Sequence, residues 1–194
     1  MTYAIEARDL YYTYEDGTVA LDHISFRAER GKMTGILGAN GAGKSTLFLN
    51  LNGVLTPAGG EVRVDGVPVT YDRKGLISVR KQVGIVFQDP DDQLFSADVY
   101  RDISFGGVNL GLPEEEVRRR VDEAMEWTGV THLKGKPTHA LSFGQKKRVA
   151  IAGVLVMEPS VVILDEPTAG LDPQGVSDIM RLLAELRGRL GKIG

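Results

Sequence analysis

The run Met33-Thr-Gly-Ile-Leu-Gly38-Ala-Asn-Gly-Ala-Gly43-Lys44-Ser45-Thr46-Leu-Phe-Leu-Asn-Leu51 decides the fold. Met33 to Leu37 is a short, mainly apolar run and reads as a buried strand. Gly38 to Gly43 reads as a glycine-rich loop, and Lys44 to Leu51 as a helix. Gly38 through Ser45 fills the pattern G-x-x-x-x-G-K-[ST] between strand and helix, where its mechanism needs it. Glycines let backbone N–H groups wrap a phosphate, and the helix N-terminus adds partial positive charge. Lys44 is placed to reach the β- and γ-phosphates and the Ser45 hydroxyl to ligate Mg²⁺. Gly38, Ala39, Asn40, Gly41, Ala42, Gly43, Lys44, Ser45 and Thr46 are therefore the nucleotide-binding candidates. The pattern specifies a nucleoside triphosphate but not which class of NTPase.

Outward from this loop, strand and helix patterns alternate. Residues 3–10, 11–14 and 19–27 read as strands, with a turn at Asp16-Gly17. Residues 61–71 alternate around Asp65-Gly66 and read as a hairpin. Val83–Phe87 and Val161–Leu164 are further buried strands. Between them, Pro113-Glu-Glu-Glu116 opens a helix with acids at its positive end, and Val117, Val121, Ala124 and Met125 recur at helical spacing. Residues 142–157 and 174–187 also read as helices. The pattern is an α/β core interrupted by a mostly helical insert over about 89–157.

Composition narrows the function classes. The 194 residues include no cysteine, which excludes a disulfide-stapled module and a cysteine-ligated zinc site. A net charge of −3 gives no electrostatic case for general nucleic-acid binding. No apolar run approaches the roughly 18–20 residues needed to span a bilayer, and Met1-Thr-Tyr-Ala-Ile-Glu6 has no signal pattern. A cytoplasmic chain is expected. His23, His132 and His139 lack metal-ligand spacing.

Two further constellations carry chemistry. Val161-Val-Ile-Leu-Asp165-Glu166 delivers two acids at the carboxyl end of a buried strand, where ligands bind in α/β sheets. Asp165 suits Mg²⁺ held through water, and Glu166 suits polarising the attacking water. Leu141-Ser-Phe-Gly-Gln145 opens a helix 20 residues before Asp165, with Ser142 as its N-cap and Gly144 leaving room for a phosphate.

In order and spacing, the 38–45 loop, Leu141–Gln145 and Val161–Glu166 resemble the Walker A, signature and Walker B motifs of ATP-binding-cassette (ABC) transporter subunits. The resemblance covers the whole chain. It implies a P-loop NTPase (RecA-like) core, an N-terminal antiparallel β subdomain and an α-helical insert, together one ABC nucleotide-binding domain. Its core covers about 1–88 and 158–194, with a signature subdomain over about 89–157. By the same resemblance Tyr14 stacks on adenine, with Tyr11 and Tyr12 as competitors. Gln88 matches the Q-loop glutamine that contacts Mg²⁺. Ser142, Gly144 and Gln145 face the γ-phosphate held by an opposite subunit, and Ala169-Gly-Leu-Asp172 is similar to the D-loop at that dimer interface. The implied cofactors are ATP and Mg²⁺. The implied partners are a second ATPase subunit, in a homo- or heterodimer, and a polytopic membrane coupling protein at the cytoplasmic face. Phe87–Phe95 and Gln145–Gly153 resemble the energy-coupling-factor ATPases, nearest the cobalt/nickel uptake type, with vitamin-uptake members carrying very similar strings. The resemblance places Gln93 and its acidic neighbours near the coupling-helix groove; a solvated turn is the competing reading of Asp89–Asp92.

The chain departs from that pattern after its D-loop. The family's switch histidine follows the D-loop helix, but here every histidine precedes Asp165 and the sequence ends 29 residues after it. This leads us to expect a C-terminally truncated form with an exposed apolar edge, a poorly covered 174–187 helix, low stability and impaired hydrolysis. The competing functions are a soluble, non-transport ABC ATPase and a binding-only fragment. The interval of 97 residues from Lys44 to Leu141 holds no heptad run, against the DNA-repair type of the former.

Overall fold

The computed structural model describes residues 3–190, with side chains described as far as residue 187. It divides into two compact units, one up to Val83 and the other spanning Gly84–Gly188.

The first unit is built on antiparallel pairing. Strands β1 (Tyr3–Thr13) and β2 (Val19–Glu29) pair through the tight turn that the Asp16-Gly17 signal marks, where the Thr18 N–H donates to Asp16 Oδ1 at 2.9 Å. Strand β3 (Gly59–Val64) pairs with the other edge of β1, and β4 (Val67–Pro68) closes the expected hairpin, in the order β2-β1-β3-β4. Ile5, Ala7, Leu10, Val62 and Val64 form the buried face. Helix α1 (Lys44–Leu51) occupies the residues read from the motif and buries Leu47, Phe48 and Leu51. Helix α2 (Arg73–Gln82), capped by Asp72, completes the unit and has no counterpart in the sequence reading.

One strand expectation fails. Met33 to Leu37 is not a strand, and Met33 and Leu37 are 54% and 97% exposed. An apolar run becomes a strand only when neighbours satisfy its backbone groups. Among the described residues, neither sheet takes it in.

The second unit holds a two-stranded sheet of β5 (Val83–Val86) and β6 (Val161–Leu164), where the Asp165 N–H donates to Val86 O at 2.9 Å. The insert is helical as expected. Helix α3 (Val99–Asn109) is capped by Asp98, and α4 (Glu114–Thr128) has Pro113 at its N-cap and three glutamates in its first turn. Helix α5 (Phe143–Leu155) packs against both. Its Val149, Ile151 and Val154 are buried, as are Val117, Val121 and Met125 of α4.

Helix α6 (Pro173–Leu190) corrects a second expectation. Its Ile179, Leu182, Leu183 and Leu186 are all buried, so the apolar stripe of the 174–187 segment is covered. Among the described residues, no helix is long and apolar enough to cross a membrane.

Candidate functional site

In the first unit the glycine-rich loop leads straight into α1. Gly41 and Gly43 have φ of +79° and +85°, in the left-handed region that glycine enters freely. A Cβ at Gly43 would stand 2.4 Å from the Ala20 carbonyl oxygen, so both backbone angle and space demand glycine there. Gly43 caps α1 with no side-chain cap, which leaves the helix's first N–H groups for a ligand. Lys44 Nζ donates to Gly38 O and Ala39 O, at 2.8 and 3.0 Å, and so lies back over the loop it must serve. Ser45 is exposed at the start of the helix, whereas Thr46 is buried and its Oγ1 shares a 2.8 Å hydrogen bond with Tyr14 OH. Tyr14 keeps 40% of its surface and meets Tyr12 edge-on at 5.1 Å. This set fits a bound phosphate chain: open helix N–H groups, an ammonium on the loop and an anchored aromatic ring.

In the second unit a cavity of about 320 Å³ gathers residues from three distant stretches. Gln88 and Asp89 follow β5, Phe143 opens α5, Asp165 follows β6 directly, and Ala169 and Gly170 come next. The Asp165 side chain is buried at the cavity wall that Gln88 also lines, and side-chain oxygens of these two types are ones a hard cation such as Mg²⁺ takes. Glu166 adopts φ +41°, a left-handed conformation costing a non-glycine residue about 1–3 kcal/mol. Gly170 has φ +74°, and a Cβ there would stand 2.8 Å from Phe143 Cε1, so the ring closes directly over this glycine.

Helix α5 starts with a full capping box. Ser142 Oγ accepts from the Gln145 N–H at 3.3 Å, and Gln145 Oε1 accepts from the Ser142 N–H at 3.0 Å. A Cβ added at Gly144 would meet only Leu171 Cδ2, at an ordinary 3.6 Å, so the chain's own packing does not demand glycine there. Asp172 Oδ1 accepts from the Gly175 N–H at 2.7 Å and caps α6. Gln93 is bound inward, accepting from the Phe87 N–H at 3.2 Å and donating to Ala150 O. Its acidic neighbours divide: Asp89 caps a 3-10 turn over Pro90–Asp92, and Asp91 pairs with Lys146 at 2.5 Å.

The sequence reading passed over one residue. Lys147 is 2% exposed, and its Nζ donates to Gln88 O at 3.0 Å and to Glu166 O at 3.2 Å. Burial pushes its pKa down, and the charges of Asp89 and Glu166 oppose that shift. The signal lay in its register: Lys147 stands four and seven residues before Ile151 and Val154, on the buried face of α5.

The ABC transporter family profile matches residues 21–169, which contain the loop, the signature segment and both acids. The chain belongs to the ABC transporter family. Membership of that family implies nucleotide binding. The chain is 62% identical to the energy-coupling factor transporter ATP-binding protein EcfA2 of Clostridium perfringens, over 97% of its own length and 66% of that protein's. It is 57% identical to EcfA of Methanocaldococcus jannaschii, over 95% of this chain and 66% of that one. It therefore spans just under two thirds of these curated relatives. Among solved structures it is similar to cbiO1 from Clostridium perfringens, described as part of the ABC transporter complex cbiONQ, with a TM-score of 0.90, 61% identity and coverage of 98% and 76%. A dimeric bacterial ABC transporter cassette matches with a TM-score of 0.85 and 28% identity, over 97% and 84%.

Proposed function

We propose that this chain is the ATP-binding and ATP-hydrolysing motor part of an energy-coupling-factor importer for cobalt/nickel or another micronutrient. The observation that carries the reading is the cavity of the second unit, which brings Gln88, Asp165 and the signature residue Phe143 to one surface. The names of the similar proteins, ATP-binding subunits of energy-coupling factor transporters and a component of the cbiONQ complex, support the transport assignment.

The residues divide the work by chemistry. Tyr14 offers its ring to adenine, an offset aromatic contact. The backbone N–H groups of Gly38 to Thr46 bind the phosphates, and Lys44 swings its ammonium from Gly38 O and Ala39 O onto them. Ser45, Gln88 and Asp165 are the residues that would hold Mg²⁺, which would supply neutralising positive charge at the phosphates. Glu166 accepts hydrogen bonding from the attacking water and orients it. Ser142, Gly144 and Gln145 face nucleotide on a second ATPase subunit, with Asp172 at that dimer interface. The freedom of packing around Gly144 supports an occupant from outside the chain. The domain reading, a core over 1–88 and 158–194 with a signature subdomain over 89–157, belongs to the same proposal. So does a peripheral position at the cytoplasmic face of a polytopic membrane partner.

The test is Mg–ATP binding and steady-state hydrolysis by the chain beside Glu166→Gln. The expected result is binding retained and turnover lost, with kcat down by roughly a hundredfold or more. Turnover that persists in Glu166→Gln overturns the assignment of the carboxylate. Failure of the parent chain to turn over, with binding intact, leaves a nucleotide-binding module and removes the motor reading from this chain.

A further inference from the structure

We propose that Lys147 is a positioning residue of the hydrolysis site. Its buried ammonium, donating to the main-chain carbonyls of Gln88 and Glu166, fixes both residues relative to the helix that opens at Ser142. The inference rests on the hydrolysis reading above and adds a residue that acts through the two backbones it holds.

Three features carry it. The first is burial without a salt bridge among the described residues: Lys147 is 2% exposed, yet its hydrogen-bond acceptors are neutral carbonyls. A desolvated ammonium is costly, and a methionine would fill the same space without that cost, so packing alone does not account for a lysine. The second is what it grips. The two carbonyls lie 59 and 19 residues away along the chain, and both belong to residues assigned to the chemistry. The third is backbone strain, since Glu166 is held at φ +41° and a charged donor on its carbonyl opposes relaxation.

Helix α5 also carries the capped signature residues Ser142 and Gln145. Lys147 stands one turn after Phe143, with its Nζ 5.3 Å from that ring's centroid. A shift of the α5 N-terminus therefore moves the ammonium, and with it the carbonyls of Gln88 and Glu166. The signature end of the helix and the two catalytic backbones are coupled through one side chain.

The test compares Lys147→Met, which keeps most of the length and loses both hydrogen bonds, with Lys147→Arg, which keeps charge and N–H donors. Lys147→Met is expected to lower kcat by roughly tenfold to a hundredfold, the worth of hydrogen bonds from a charged donor. Its KM and Kd for Mg–ATP should stay within about threefold of the parent, because the loop and α1 are untouched. Lys147→Arg should recover most of kcat. In nucleotide-free chains, amide exchange should quicken in Lys147→Met at peptides covering 83–89 and 161–168, and stay unchanged over 44–51. Unchanged kcat in Lys147→Met, or a loss carried by KM, overturns the proposal while hydrolysis stands. A parent chain without turnover defeats the hydrolysis reading separately. The exchange experiment then decides whether Lys147 holds the two segments, and unchanged exchange overturns it. Should Lys147→Met lose its cooperative melt, Lys147→Arg decides: fast exchange at both segments, despite retained charge and donors, overturns the proposal.

Discussion

Phe143 and Gly170 show how much of the second unit rests on single contacts. Phe143 follows the signature serine, and its ring fills the space that a Cβ at Gly170 would need. Gly170 is also held at φ +74°, so any other residue there is strained in both backbone and side chain. Gly170→Ala is expected to destabilise the chain by about 1–3 kcal/mol, read by chemical denaturation. Part of that loss is steric and depends on the ring. Adding Phe143→Ala should therefore recover some of it, with a coupling of about 0.5 kcal/mol or more in the double-mutant cycle. Strict additivity would mean that the left-handed backbone alone sets the cost.

At the scale of elements, α4 is stabilised by a charge ladder whose pH response can be worked out. Glu116 accepts from Arg119 and Arg120, at 2.7 and 2.6 Å, and these hydrogen bonds hold its carboxyl down at about 2. A carboxyl depressed in the folded chain binds its proton more readily when unfolded. Its contribution is present in full above its ordinary value of 4.5 and is lost as pH falls toward about 2. Titration of Glu116 by NMR should give a midpoint well below 4.5, and Arg119→Ala should raise it. An unshifted midpoint would show that the exposed pairs do not persist in solution. This helix was legible in the sequence because its start signal and its apolar spacing agree. Helix α2 was not, because Val79 is its one buried residue and only the Asp72 cap marks its start. The 33–37 run misled for the opposite reason: apolar content favours burial in a sheet but does not supply the neighbour that makes a strand. The candidate site divides the same way. The loop at Gly38–Ser45 and the acids Asp165 and Glu166 are local patterns. The grip of Lys147 joins positions far apart in sequence, and only the fold brings them together.

At the scale of the whole molecule, ligand binding and stability are linked: a ligand that binds only the folded chain stabilises it by mass action, wherever its contacts lie. On the function proposed above, the 38–45 loop would provide those contacts, through its left-handed glycines and the uncapped start of α1. Mg–ATP at about a hundred times its Kd adds about 2.7 kcal/mol. For a chain of 194 residues this raises the melting temperature by roughly 5–10 °C. The two variants at the site should separate cleanly in this assay. Lys44→Ala removes the ammonium and should abolish most of the shift, whereas Glu166→Gln leaves the phosphate contacts in place and should keep it. The ligand-free melt of each variant gives the baseline, because Lys44 also bonds Gly38 O and Ala39 O. A shift that survives Lys44→Ala would place nucleotide binding elsewhere on the molecule. A shift lost in Glu166→Gln would give the carboxylate a part in binding, and the division of labour drawn above would have to be redrawn.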